Sequence, residues 1–339
     1  MIVAGWLRYR RFWCVPVVVF AVGVAGGCDA GAGGGRSAAA RHSPSPVAVP
    51  APVASAAVLP VVSGKAGGRP VVGIPREAPG RAFVVRTVSA GKGPEVRKGR
   101  VVVAHYVAKV WKSGRTVMDS RRGGGRPQVF TAGGGSLLPA LERAVAGRRA
   151  GSRVMAVVPP GGVFGLDRLQ SAGVSAKDTL VFVLDIAAVI DPVTAVAGTA
   201  RPAAGLPRVD SSAPGQFALT VPEGSPPRRL VARTLIAGSG RPVGPRSRVL
   251  VHYAGAVWAS GRGKPAEVFD STAQRGQPVL VRMGAGEVIK GWEEGLRDQK
   301  AGSRVLLVVP PGKAYGTRSH AGVPAGSTLV FAVDILAVL

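Results

Sequence analysis

Cysteine, histidine and aromatic residues are scarce in this chain of 339 residues, and their scarcity excludes several kinds of protein. Two cysteines cannot build the disulfide framework that stabilises small secreted domains. Four scattered histidines leave no cluster with metal-ligand spacing, and neither a Ser/His/Asp trio nor a Gly-x-Ser-x-Gly motif is present. We therefore predict no metal site and no cofactor. Because aromatic residues make up only 5% of the chain, each is worth locating.

Acidic residues are also few, and 44 Lys and Arg against 18 Asp and Glu give a net charge of +26. Such a charge suits nucleic acid, anionic lipid or an anionic cell wall. The surplus is spread along the chain without a basic helix or a long basic run, so we predict no nucleic-acid binding. The glycine runs lack the Lys and Ser/Thr that complete a phosphate-binding loop, so nucleotide binding has no support either.

The N-terminal apolar run, residues 15–24, is too short for a membrane span of about 20 residues. It follows Arg8, Arg10 and Arg11, an order typical of an export signal. The run ends in small residues before Cys28, which resembles the lipobox of bacterial lipoproteins, where the thiol is lipidated. We predict a signal peptide over residues 1–28 and an exported protein anchored at Cys28 to the outer face of the cell membrane. Secretion after ordinary cleavage, or an uncleaved anchor, is the alternative.

Two segments of the chain repeat each other, as the length also suggests at about 150 residues per domain. Residues 102–115 recur at 250–262, and Ala150-Gly151-Ser152-Arg153-Val154 recurs as Ala301-Gly302-Ser303-Arg304-Val305. We predict domains over residues 76–190 and 217–339. Residues 191–216 are predicted as a linker, and residues 29–75, rich in Gly, Ala, Ser and Pro, as a disordered spacer.

Within each repeat the sequence favours strands rich in Val, Leu and Phe and bounded by Gly or Pro. Only one helix is predicted in the second repeat, where Val288, Ile289, Trp292 and Leu296 fall at helical spacing. An antiparallel sheet has one face to bury, and a short amphipathic helix needs a surface to cover. The fold class is therefore α+β, with an antiparallel sheet wrapped around one short helix in each domain.

Five motifs follow one another in the second repeat: Val251-His252-Tyr253, Phe269-Asp270-Ser271, Gly286 to Leu296, Ala314-Tyr315-Gly316 and Thr328-Leu329-Val330-Phe331. In this order they resemble FKBP-type peptidyl-prolyl cis/trans isomerases, the immunophilins that bind tacrolimus and rapamycin. The resemblance covers residues 228–339 directly and residues 81–190 through the repeat. It implies isomerase activity, proline-containing polypeptide segments as partners and macrolides as further ligands.

The resemblance also implies a role for each site residue. Trp292 would form the floor of a pocket, and the walls would be Tyr253, Phe269, Val288, Ile289 and Phe331. Arg275 and Tyr253 would hold Asp270, the Ile289 amide would bind a substrate carbonyl, and Tyr315 would donate a hydrogen bond. The remaining substrate-binding positions would be Val279, where the family usually has Phe, with Val281, Glu287, His320 and Val323.

Such a pocket suits the chemistry without any reactive group. Rotation about a peptide bond faces a barrier of about 18–20 kcal/mol, which comes from the double-bond character of the C–N bond. Water favours that resonance, so an apolar cavity weakens it, and well-placed donors stabilise the twisted form. Taken singly, each aromatic residue could instead be ordinary core packing.

The first repeat departs from the pattern. In the alignment Met118 replaces Phe269, Gly124 stands opposite Arg275, Leu141 opposite Trp292 and Phe164 opposite Tyr315. Arg126 is a candidate substitute for the missing arginine, and Tyr106, Asp119 and Phe182 remain. We predict that this domain keeps the fold, has weak or no catalysis and serves as a binding or spacer module.

Together these observations predict a monomeric isomerase that assists the folding of exported proteins, mainly through its C-terminal domain. One alternative is a non-catalytic chaperone or adaptor that holds proline-containing segments. Another is a basic envelope-binding protein in which the domains are only a scaffold.

Overall fold

The structure is a computed structural model, and it describes residues 51–122, 125–135, 137–160, 173–201, 203–258, 263 and 265–339. The chain divides into two compact units, residues 1–46 and 47–339, and every residue described belongs to the second. The predictions at Cys28, Gly124 and Phe164 lie outside the described residues. Within the described ranges, no helix is both long and apolar enough to span a membrane.

Both repeats fold into six-stranded antiparallel sheets of the same topology, so the predicted tandem α+β domains are confirmed. The first sheet has the order β3-β7-β8-β4-β5, with β6 paired to β4, and the second has the order β11-β15-β16-β12-β13, with β14 paired to β12. The first domain comprises β3 (Val84–Ser89), β4 (Val101–Val110), β5 (Thr116–Asp119), β6 (Gln128–Thr131), α1 (Pro139–Val145), β7 (Arg153–Val158) and β8 (Leu180–Ile190). The second comprises β11 (Val231–Ile236), β12 (Arg248–Val257), β13 (Val268–Ser271), α2 (Thr272–Arg275), β14 (Val279–Arg282), α3 (Lys290–Gly295), β15 (Arg304–Val309) and β16 (Leu329–Val338).

The helices of the second domain differ from the prediction in two ways. Helix α3 begins at Lys290, with Ile289 as an extended N-cap, so Val288 and Ile289 precede the helix instead of forming its first turn. The expectation of a single helix is also wrong. The short helix α2 begins after Ser271, whose side chain accepts a hydrogen bond from the Gln274 amide, and ends at Gly276 in the left-handed region.

Helix α3 lies very close to β15 because glycine occupies two of its buried positions. A Cβ atom at Gly295 would stand 2.6 Å from Cδ2 of Leu307, and one at Gly291 would overlap Val309. The first domain has Ala144 at the position of Gly295, and Ala156 takes the place of Leu307. The larger helix residue of the first domain therefore faces a smaller strand residue, which leaves room for the Cβ atom of Ala144.

This exchange predicts that Gly295→Ala destabilises the protein by about 1–3 kcal/mol, because it overpacks a filled contact. In a Leu307→Ala background the same substitution should be neutral or stabilising, since alanine is the better helix former and the clash is gone. Urea unfolding of the two single variants and the double variant measures the coupling. An identical effect of Gly295→Ala in both backgrounds would show that the contact is not tight.

Each domain carries an additional hairpin that the sequence did not predict. Strands β1 (Val61–Ser63) and β2 (Val71–Gly73) lie in the predicted spacer, and β9 (Arg208–Ala213) pairs with β10 (Gln216–Thr220) across the end of the predicted linker. The prediction of an unstructured spacer is therefore wrong for residues 61–73, and that of a linker is wrong from residue 208 onward. Each structural repeat begins before the sequence repeat does.

The hairpins cover the outer faces of the two sheets, so that both faces of each sheet are buried. Val72 packs with Val84, Val157 and Val181 in the first domain, and Leu219 packs with residues of β12, β15 and β16 in the second. The repeated tryptophans belong to this outer layer. Nε1 of Trp111 donates to the Glu77 carbonyl, and Nε1 of Trp258 donates to the Gly224 carbonyl.

The two domains also contact each other through equivalent positions of their sheets. Val103 pairs with Val129 and Ala188 in the first domain, as Leu250 pairs with Leu280 and Ala337 in the second. All six belong to one apolar cluster that bridges the domains. The domains are therefore packed together by a self-complementary apolar surface.

Candidate active site

Four predicted aromatic residues of the second domain pack against one another. The Trp292 ring on α3 meets Tyr253 of β12 edge to face at 5.1 Å between centroids and Phe331 of β16 at 5.5 Å. Phe269 of β13 meets Phe331 at 6.0 Å with the rings nearly perpendicular. Edge-to-face packing is a preferred arrangement of aromatic rings, so the four rings fix one another's orientation. We call the four residues Tyr253, Phe269, Trp292 and Phe331 the aromatic hollow.

The predicted apolar neighbours surround the aromatic hollow. Val281 and Val323 are buried in the same cluster as Trp292, and the others pack against it while half-buried: Val279, Val288, Ile289 and Tyr315. Nε1 of Trp292 is buried and, among the described residues, has no hydrogen-bond partner. Buried donors without a partner are few in folded proteins.

One wall of the hollow carries a charged network. The Tyr253 hydroxyl donates to Oδ2 of Asp270 at 2.6 Å, and the Arg275 guanidinium donates to both carboxylate oxygens at 2.8 and 2.9 Å. Burial raises the pKa of Tyr253 above its usual value, and the hydrogen bond to Asp270 raises it further. Tyr253 therefore stays protonated and donates throughout the physiological range. Helix α2 is the element that brings Arg275 back to Asp270.

Tyr315 and His320 come from one loop. Their rings stack at 4.4 Å between centroids, and the His320 and Val323 backbones hydrogen-bond to each other. Burial raises the pKa of Tyr315, so its hydroxyl also remains a donor. The geometry thus gives His320 a role in holding Tyr315.

Glu287 is engaged outside the aromatic cluster. Its carboxylate accepts from the Arg282 amide at 3.1 Å and forms an ion pair with Arg126 of the first domain at 2.7 Å. The prediction that Arg126 takes the place of the missing arginine in the first domain is therefore wrong. Arg126 reaches across to the second domain.

Gly255 completes the hollow and was not predicted. A Cβ atom there would stand 2.6 Å from Cε1 of Phe331 and 3.0 Å from Cζ of Phe269. Only glycine lets both rings approach the β12 backbone this closely. The sequence feature that could have identified Gly255 is a glycine inside a strand of apolar residues.

The first domain lacks most of this arrangement, and the strand register corrects the sequence alignment. Ala108 pairs with Met118 where Gly255 pairs with Asp270, so Met118 replaces Asp270 and not Phe269. Asp119 falls at the position of Ser271 and forms an ion pair with Arg69 at 2.8 Å. The prediction that Asp119 preserves the site carboxylate is therefore wrong.

The charged network predicts a sharp effect for Asp270→Asn. The amide keeps the shape but loses the charge that holds Arg275 and Tyr253, and charged hydrogen bonds contribute about 1.5–3 kcal/mol. We expect kcat/KM for an X-Pro peptide to fall about 10-fold to 100-fold. Asp298→Asn, at an exposed residue that is not part of the aromatic hollow or its charged network, should leave kcat/KM unchanged. Equal rates in the two variants would remove Asp270 from the site.

Comparison with known proteins gives the same family for both domains. Residues 93–187 and 240–336 match the family of FKBP-type peptidyl-prolyl cis-trans isomerases. The chain is 37% identical over 119 residues to an FK506-binding protein of Streptomyces anulatus, which covers 34% of this chain and 92% of that protein. It is 40% identical over 103 residues to the FKBP-type isomerase FkpA of Buchnera aphidicola, which covers 30% of this chain and 39% of that protein.

Solved structures of FKBP proteins also match this chain. The crystal structure of FkpA from Escherichia coli matches at 38% identity and a TM-score of 0.29, over 32% of this chain and 47% of that one. The three FKBP domains of wheat FKBP73 match at 21% identity and a TM-score of 0.30, over 76% of this chain and 94% of that one. With both family matches falling on the two sheets described above, the chain belongs to the FKBP-type peptidyl-prolyl cis-trans isomerases.

Proposed function

We propose that the isomerase activity of this chain resides in the second domain. The observation that carries the proposal is the aromatic hollow with Asp270 held beside it by Tyr253 and Arg275. The first domain has Leu141 on its helix, Met118 at the carboxylate position and Ala108 at the glycine position. It therefore lacks both the indole floor and the charged wall.

The hollow accelerates rotation by changing the surroundings of the amide. A prolyl ring on the Trp292 indole places the preceding amide among apolar side chains, where its polar resonance form loses solvation. The Ile289 amide then holds the substrate carbonyl, and the Tyr315 hydroxyl donates to the twisted form. No covalent bond is made, so binding that is stronger to the twisted amide than to the planar one suffices.

Matched substitutions in the intact chain test the location of the activity. Phe331→Leu in the second domain and Phe182→Leu in the first change equivalent positions of β16 and β8. NMR exchange spectroscopy on an X-Pro peptide should show at least about a tenfold loss of kcat/KM for Phe331→Leu and little change for Phe182→Leu. The reverse pattern would place the activity in the first domain.

We further propose that the clients are proline-containing segments of exported proteins and that Cys28 carries the lipid anchor. The N-terminal sequence supports this proposal through its arginines, short apolar run and small residues before Cys28. Cys28→Ser should release the protein from the membrane fraction, whereas Cys14→Ser should leave it there. Retention of the Cys28→Ser protein in the membrane fraction would reject the lipid anchor in favour of an uncleaved anchor, and wild-type protein found free in the medium would indicate secretion.

A second function is favoured for the first domain by its apolar cluster, which keeps Tyr106 and Phe182 without the charged network. A domain of this fold that has Met118 where the second domain has Asp270 suits holding of polypeptide without catalysis, as a chaperone or adaptor would do. In that case the Phe331→Leu chain should still suppress aggregation of an unfolded client.

The relatives named for FK506 binding also lead us to propose a macrolide ligand for the hollow, so FK506 should compete with X-Pro peptides.

A further inference from the structure

A cavity of about 260 Å³ lies between the two domains. The first domain contributes residues 126–129 to its lining, and the second contributes Arg248, residues 277–282 and Glu287. Val279 and Val281 line this cavity and also belong to or pack against the apolar cluster of the aromatic hollow. The cavity therefore adjoins the proposed active site through strand β14. We call it the interdomain cleft.

Two residues that line the cleft each have a buried polar side-chain atom with no partner within the described part of the chain. One atom is Oε1 of Gln277, an acceptor, and the other is Nε of Arg282, a donor. Buried polar atoms without partners are few in folded proteins and destabilise the free state. A ligand that satisfies both must offer a donor and an acceptor. The peptide group offers both, since each residue other than proline carries one N–H and one C=O.

The backbone that lines the cleft also suits an extended chain. In the described residues β6 pairs only with β4, and β14 pairs only with β12, so both are edge strands. Both contribute residues to the cleft. Edge strands recognise extended peptides through main-chain hydrogen bonds. The cleft thus combines edge backbone with the side-chain groups of Gln277 and Arg282.

The charged residues that line the cleft favour a ligand with negative charge. Arg126, Arg248 and Arg282 line it, and Glu287 is the single acidic residue among the described residues of the lining. The Glu287 carboxylate forms ion pairs with Arg126 at 2.7 Å and with Arg282 at 3.3 Å. The Arg248 guanidinium donates to the Gly125 carbonyl. Three cations against one carboxylate leave a positive surplus that a carboxylate on the ligand would neutralise.

We propose that the interdomain cleft binds the extended polypeptide segment that flanks the target proline, and that it prefers segments with an acidic residue. The proposal rests on the isomerase function of the adjoining hollow, because the client is the chain whose proline occupies that hollow. It gives the first domain a part in client recognition, since Arg126 and strand β6 form one side of the cleft.

Two measurements test the proposal on the intact chain. The first compares kcat/KM for two long peptides that each contain one X-Pro bond and differ only in having Glu or Lys residues in the flanking segment. A short X-Pro tetrapeptide, which has no flanking segment, is the reference substrate. We expect the Glu peptide to exceed the Lys peptide by about tenfold at low salt. Arg248→Gln should reduce that ratio towards one, because it removes a positive charge from the cleft, and Gln277→Ala should lower kcat/KM for both long peptides. Both variants should leave the tetrapeptide unchanged, and Arg233→Gln, at an exposed position, should preserve the ratio.

The second measurement follows binding of a fluorescent Glu peptide that lacks proline, by anisotropy. Binding that is weakened several-fold by Gln277→Ala and Arg248→Gln supports the cleft even if no peptide is isomerised, in which case only the proposed activity fails. A Glu-to-Lys ratio near one in the wild type, or a ratio and a binding constant that neither variant changes, would overturn the cleft as a client site.

Discussion

Replacing Gly255 with alanine is expected to lower kcat/KM for an X-Pro peptide about 100-fold while the chain remains folded. The added Cβ would stand 2.6 and 2.9 Å from two carbon atoms of the Phe331 ring, and 3.0 Å from Phe269. Both rings must move, and a displacement of about 1 Å in a positioned site reduces rates by about that factor. The substitution adds no polar group and leaves Asp270 and Arg275 in place.

The first domain supplies the matched control. Ala108 occupies the position of Gly255 and pairs with Phe182, so this strand tolerates a Cβ at that position when catalysis is not required. Ala108→Gly should therefore leave the exchange rate unchanged. Near-wild-type activity in the Gly255→Ala chain, measured together with its urea unfolding midpoint, would show that the rings do not form the reactive surface.

The second large effect is expected for stability. Arg153 is only 1% exposed, forms an ion pair with Asp185 at 2.6 Å and donates to the carbonyls of Gly64, Lys65 and Gly68 around the β1–β2 hairpin. Arg153→Met leaves the carbonyls without that donor, and among the described residues Asp185 then keeps one ion-pair partner, Arg121. Removal of one partner from a buried pair costs about 3–5 kcal/mol.

Arg304→Met in the second domain is the corresponding control. Arg304 pairs with Asp334 in the same way, but its side chain is 12% exposed and its further hydrogen bond reaches Ser211 only. Arg304→Met should therefore lower the free energy of unfolding by less than Arg153→Met does. Hydrogen exchange should also show the amides of residues 61–73 losing protection in Arg153→Met. Equal destabilisation by the two variants, with unchanged exchange in the hairpin, would contradict this account of the outer layer.

The tandem sheets and the hollow were predictable because their signals recur at fixed spacing. The two copies share Tyr106 and Tyr253, and the rare Trp292 falls on the only strong helical pattern. The hairpins were missed because their strands are short and the two hairpin sequences do not resemble each other. A signal for them existed in Trp111 and Trp258, which are repeated, apolar and placed on the face away from the helix.

The detailed geometry needed cross-strand neighbours that a linear alignment does not contain. The Asp-Ser pair at Asp119 matches the one at Asp270 by eye, yet the register places Met118 opposite Ala108 and shifts the match by one residue. The requirement for glycine at 255 likewise arises from rings on β13 and β16. The interdomain cleft depends on how the two sheets pack, which composition and periodicity do not encode.

The most direct test of the central claim is the position of a bound prolyl ring in the intact chain. An X-Pro peptide with an isotope-labelled proline can be titrated into the protein and studied by isotope-edited NOE spectroscopy. We expect NOEs from the prolyl ring protons to the indole protons of Trp292, and their loss in Trp292→Leu together with the exchange activity. Accelerated exchange with no NOE to Trp292, and an unchanged rate in that variant, would contradict the account.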